Sequence, residues 1–210
     1  MERRLTADEP ISEWLQALAS TGPNPGGGAA AALMAGMAAA LAEMVATHRR
    51  PQESPDAEVR RRTLEAFSAA IREAAPAMAD QDTAASAGFA AANEQRDSEH
   101  RSAARREASL AAAESSVALG RFAATLVPVL RELVDDTSTL LLADVGVAAA
   151  ALAASTRAAA LNVCTDLLLA HQAGTGRSDL LDAFDELETT TGDLQAIVDQ
   201  VRARIHPSRA

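Results

Sequence analysis

Lysine is absent from this chain of 210 residues: all nineteen basic residues are arginine, so no side-chain amine is available for Schiff-base chemistry. Aromatic residues make up only 2%, and no basic stripe with interleaved aromatics exists. With a formal charge of −10, this excludes the usual electrostatic footprint of a nucleic-acid partner. The single cysteine, Cys164, cannot form an intrachain disulfide and fits a reducing compartment; in its apolar segment it reads as a core residue. There is no cysteine pair or His-Glu-x-x-His for zinc, no Glu-x-x-His for a di-iron bundle, and no Ser-His-Asp elbow. The first nine residues carry charge at both ends and no apolar stretch, unlike a secretion signal, so a cytoplasmic protein is expected. Residues 29–45 are long and apolar enough to suggest a membrane span, but they are mostly Ala and include Glu43, so no membrane association is expected.

What the chain has in abundance is alanine, roughly a quarter of all residues against a far lower ordinary usage. A core of such small side chains must bring helix axes close together, and it is thin per helix, so a second subunit is expected to complete it. No strand pattern is present. Helical spacing predicts a short helix from residue 10 to the Gly22-Pro23 stop, with Ile11, Trp14, Leu15 and Leu18 on one face. A second helix is predicted over residues 28–47. A third starts behind Ser54 as N-cap with Pro55 in the first turn, carries Val59, Leu64, Phe67 and Ile71 as its stripe, and continues beyond a kink expected at Pro76 through Met78, Asp80, Asp82, Phe89 and Asn93. Three further helices are predicted: residues 102–134 with a kink at Pro128, the very apolar residues 137–171 at the centre, and an amphipathic 178–205 with Leu181, Phe184, Leu187, Leu194, Ile197, Val201 and Ile205 inward. The expected architecture is all-α: one domain over residues 1–210, a homodimeric bundle of long, partly kinked helices.

The most informative short segment is Pro23-Asn24-Pro25-Gly26-Gly27-Gly28, which runs straight into an Ala-rich helix. Prolines hold the approach extended and glycines let the backbone turn, delivering a helix N-terminus whose free N–H groups and positive dipole end can receive an anionic or polar ligand edge. The same glycines would also let two helices touch closely. Polar residues embedded in apolar helices are the other signal. Asp144, Asn162, and Asp82 beyond Pro76 each need a partner, a cavity or a shifted pKa.

Three segments in order, Pro23-x-Pro25-Gly26-Gly27-Gly28, Asp144-x-Gly146-Val147-Ala148-Ala149 and Arg157-Ala158-Ala159-Ala160-Leu161-Asn162-Val163, resemble the cyclodeaminase domain of formiminotransferase-cyclodeaminase and the stand-alone methenyltetrahydrofolate cyclohydrolases. The resemblance covers nearly the whole chain. It implies an all-helical homodimer with a tetrahydrofolate derivative bound as substrate near the subunit interface, and an enzyme acting as cyclohydrolase or cyclodeaminase without a metal. Carried over, it implies Asp82 and Asp144 as catalytic carboxylates, with Gly26, Gly27, Gly28 and Asn162 as ligand-positioning elements. Arg49 and Arg50 would meet the folate's glutamate tail in place of the family's lysines.

The chain departs from that pattern at several positions. Ser86 stands where the family has Phe, and Leu140 and Asp166 stand where it has amides. Two readings therefore stay open: a folate-dependent one-carbon enzyme, or a divergent helical dimer that binds a different small ring-forming molecule or serves as an interaction module.

Overall fold

A computed structural model describes residues 4–21, 25–48, 54–95, 98–172 and 177–206. The described residues are almost entirely helical, with no strand among them. A 3-10 turn at Thr6–Asp8 precedes α1 (Ile11–Leu18), α2 (Gly27–His48), α3 (Pro55–Asn93), α4 (Ser98–Ala124), α5 (Val127–Asp136), α6 (Thr139–Gln172) and α7 (Ser178–Ile205). The 3-10 turn is held on α3 by Asp80, which accepts from the Thr6 amide at 3.2 Å and the Thr6 hydroxyl at 2.7 Å.

α2 lies between α3 and α6 and buries small residues against both, among them Ala31, Ala35, Ala38, Ala39 and Ala42, while Met37 stays exposed. A helix that is apolar all round belongs in an interior. α2 and α6 are also the two described helices long and apolar enough to cross a membrane, and much of that apolar surface is buried within the chain. The close approach is visible at Gly36, where a Cβ would stand 2.8 Å from the Cβ of Ala75 on α3. Two buried hydroxyls set the register of α6 against its neighbours. Ser155 donates to the Ala31 carbonyl of α2 at 2.7 Å, and Thr156 meets Thr191 of α7 at 2.8 Å. The larger core residues, Leu126, Leu130, Leu133, Leu142, Leu152 and Leu194, gather around α5 and the first half of α6.

Several sequence expectations need correction. The helix expected over residues 102–134 is two helices, because Pro128 lacks an N–H and its ring excludes the carbonyl four residues back; α4 ends at Ala124 and Pro128 falls in the first turn of α5. α3, by contrast, carries Pro76 inside it and continues to Asn93, as expected. Its buried stripe is Leu64, Ser68, Ile71, Ala75 and Ala79, while Val59 and Phe67 are exposed; on α7, Leu180 rather than Leu181 faces inward. Cys164 is exposed, not a core residue. Ser54 stands at the N-cap of α3 without a side-chain capping bond.

Candidate functional site

The glycine segment starts α2 as its composition dictates. Ala30 is the first residue whose N–H finds a carbonyl one turn back, that of Gly26 at 3.0 Å. The amides of Gly27, Gly28 and Ala29 are therefore the open donors of the helix end. The Ala29 N–H donates to the carboxylate of Asp82, which arrives from α3 and is 8% exposed. Asp82 thus caps α2 from outside the helix, and the helix dipole favours its ionised form. Burial outweighs that bond and pushes the Asp82 carboxyl above its usual range.

Gly28 makes this approach possible. A Cβ there would collide with the Asp82 carboxyl, whose farther oxygen would stand only 2.8 Å away. At Gly27 the nearest atom to such a Cβ is Asn162 Oδ1, at 3.8 Å. Gly27, Gly28, Asp82 and Asn162 line one cavity of about 210 Å³. Its remaining walls come from α3 (Ala85, Ser86, Phe89), α4 (Ala112, Ser116) and α6 (Thr165, Asp166, Leu169).

The helical repeat explains why α6 contributes as it does. Asn162, Asp166 and Leu169 recur at spacings of four and three, so they share one face. Asp166 lies one turn beyond Asn162. Burial, and then the negative charge of Asp82, raise its pKa from 3.8 to about 6. Among the described residues no hydrogen bond or ion pair is made by Asp166, by the Asn162 amide or by the Ser116 hydroxyl. Polar groups left open to one hollow mark a place for a polar ligand. Phe89 adds an aromatic wall, with the Arg105 guanidinium 6.0 Å from its ring centre.

Of the residues singled out from sequence, Asp82, Gly27, Gly28 and Asn162 come together here. Gly26 stands one step outside, as the residue whose carbonyl closes the first helical turn. Asp144 is half-buried on α6, eighteen residues before Asn162 and so about 27 Å away along the axis, and does not line this cavity. Arg49 and Arg50 lie outside the described residues. Leu140, at 90% exposure, is far from the cavity as well. Asp166 was noted from sequence only as a departure from a family pattern; its four-residue spacing from Asn162 was the signal that both share a face. No group of three His, Cys, Asp or Glu residues among the described residues is arranged to hold a metal ion.

A family model described as formiminotransferase-cyclodeaminase matches residues 10–171. Among solved structures, the formiminotetrahydrofolate cyclodeaminase of Thermotoga maritima superposes with a TM-score of 0.79 at 21% identity, covering 97% of this chain and 99% of that one. At that identity the likeness is one of fold. No curated protein sequence matches the chain significantly.

Proposed function

Because the chain belongs to the formiminotransferase-cyclodeaminase family, we propose that it is a folate-dependent one-carbon enzyme, a formimidoyltetrahydrofolate cyclodeaminase or methenyltetrahydrofolate cyclohydrolase, working by carboxylate general acid/base catalysis. The substrate is a tetrahydrofolate derivative whose reacting carbon sits between two nitrogens as an amidinium cation. A carboxylate beside that carbon stabilises the positive charge and exchanges protons as a carbon–nitrogen bond forms or breaks. Asp82 is the catalytic carboxylate in this reading. Asn162 and the Gly27 and Gly28 amides offer hydrogen bonds to the polar edge of the pterin, and Phe89 offers a face for stacking.

The observation that carries the reading is convergence: residues 27–28, 82 and 162, far apart in the chain, meet at one cavity. Its test is to add purified protein to methenyltetrahydrofolate and follow the loss of its absorbance, and to follow ammonia release from formimidoyltetrahydrofolate, with Asp82→Asn alongside. Activity lost in the variant supports the reading; no turnover and no calorimetric binding of either folate by wild type sinks it. Binding of an unrelated small cation instead would favour the divergent-member alternative, for which two acids in a small cleft also suit.

We further propose a cytoplasmic homodimer built on α6. Leu140, Val147, Ala154, Leu161 and Leu168, seven residues apart, are all exposed, as are Ala143, Ala150, Arg157, Cys164 and His171 between them. This is an exposed row at heptad spacing about 47 Å long, apolar but for Arg157 and His171. At about 210 Å³ the cavity is also smaller than the roughly 300 to 1,000 Å³ of usual small-molecule sites, so one chain does not enclose a folate. Leu161 and Leu168 flank Asn162 and Asp166, and a second copy on the seam would therefore stand beside the cavity mouth.

A further inference from the structure

Asp82 and Asp166 line the same cavity from α3 and α6 and differ in what holds them. Asp82 receives the Ala29 N–H and faces the positive end of α2; Asp166 has no donor from the chain among the described residues. Among the described residues no other titratable group lines the hollow. α2 contributes Gly27 and Gly28, α4 contributes Ala112 and Ser116, and the other α3 residues are Ala85, Ser86 and Phe89. Two like acids placed in different environments separate into different roles, one kept as a charge and one left to move a proton.

Building on the proposed folate reaction, we infer that Asp166 is a second catalytic carboxyl, the group that carries the proton from the attacking nitrogen to the departing one, while Asp82 remains an anion that stabilises the cationic carbon. In the ring-closing direction the N10 lone pair attacks the formimidoyl amidinium carbon, forming a carbon–nitrogen bond while the C=N electrons withdraw to the terminal nitrogen. Asp166 carboxylate takes the N10 proton and hands it to that nitrogen. The carbon–nitrogen bond to the protonated amine breaks, ammonia leaves, and the methenyl cation is left with its charge unchanged. Asp166 ends as the carboxylate it began as, with no other reactant needed.

Burial and the charge on Asp82 bring Asp166 to about 6, near enough to neutral pH to give and take a proton readily. Because its folded pKa is raised, the carboxylate needed to start the cycle is present above about 6 and lost below it. kcat/KM should therefore fall as pH drops through that value, in coupled rather than single-site fashion.

The experiment measures ammonia release from formimidoyltetrahydrofolate by wild type, Asp166→Asn and Asp166→Ala from pH 5 to 8, with circular dichroism confirming helicity. Expected are a loss in kcat of at least about a hundredfold in Asp166→Ala, a smaller loss, of more than threefold, in Asp166→Asn, which restores the amide of the family pattern, folate binding retained within a few-fold, disappearance of the limb near pH 6 in both, and partial rescue of Asp166→Ala by added formate or acetate. Asp166→Asn turning over within threefold of wild type, or keeping the same limb, overturns the assignment of Asp166 and leaves the family reaction standing. Wild type inactive on both folates overturns the reaction and this inference with it. Loss of folate binding in step with kcat marks Asp166 as a binding group and also overturns it.

Discussion

Gly28 on α2 and Asp82 on α3 are a matched pair: the space that a methyl group on Gly28 would need is occupied by the Asp82 carboxyl. The glycine therefore serves a contact between helices and a candidate catalytic group at once, and the two sequence-level readings of the Gly26–Gly27–Gly28 segment merge in one place.

Gly28→Ala should displace Asp82 from the helix end. A misplacement of about 1 Å at a reacting centre can cost on the order of a hundredfold in rate, so activity should drop by about that factor while the helical fold persists. Steady-state kinetics with circular dichroism checks this. Full activity in the variant would show that the close approach is dispensable.

Asp82→Asn keeps the size and removes the charge. With folate as substrate, kcat/KM should fall on the order of a hundredfold to ten-thousandfold. Burial disfavours the Asp82 anion, so the variant should be no less stable than wild type at pH 7 despite its lost activity. Chemical denaturation read beside the kinetics separates the two effects.

The pH dependence of stability has a definite sign at Asp166. Its carboxyl ionises near 3.8 in the unfolded chain and near 6 in the folded one, so between those values the folded state binds more protons. This group's contribution to stability is therefore most favourable at low pH and declines as pH rises through about 6. Thermal midpoints of wild type minus Asp166→Asn, taken from pH 4 to 8, should fall across that window and level off above it. A flat difference would show that burial in the cavity, with the Asp82 charge beside it, does not raise the Asp166 carboxyl in the folded chain.

Leu161→Glu, with or without Val147→Glu, should separate subunits. An acid placed at an apolar position between two facing helices is costly, and both positions are exposed in the single chain, so the monomer should still fold. Sedimentation equilibrium is the measurement; wild type sedimenting as a monomer at tens of micromolar would refute the seam.

Gly36→Ala tests the helix contact away from the cavity. The added methyl would sit 2.8 Å from Ala75 Cβ, and overpacking of this kind costs about 1 to 3 kcal/mol. A lowered denaturant midpoint with unchanged kcat is expected.

Most of the helices were legible because apolar periodicity and proline or glycine stops are local signals. The misplaced boundary lies at a proline. Pro128 and Pro76 look alike in sequence, yet one begins a helix and the other is carried inside one, since the outcome depends on what the flanking turns pack against. The buried stripe of α3 slipped for a similar reason: against an alanine-lined partner, Ser68 and Ala75 fit inside where Phe67 does not. At the site, Gly27, Gly28, Asp82 and Asn162 could be nominated from residue type alone, but Asp166 could not be ranked above Asp144. Both are lone carboxylates on the same apolar helix, and only the register of α6 against its neighbours puts one into the cavity and leaves the other about six turns away.

By itself, then, the amino-acid order determined an all-helical, alanine-packed chain with a donor-rich helix start, because helix propensity, chain stops and free N–H groups are properties of a few consecutive residues. Which carboxylates face that helix start was decided only by tertiary packing. The Ser155 bond to Ala31 and the missing side chains of Gly28 and Gly36 set how closely and in what register α2, α3 and α6 meet, and those contacts join residues scores of positions apart.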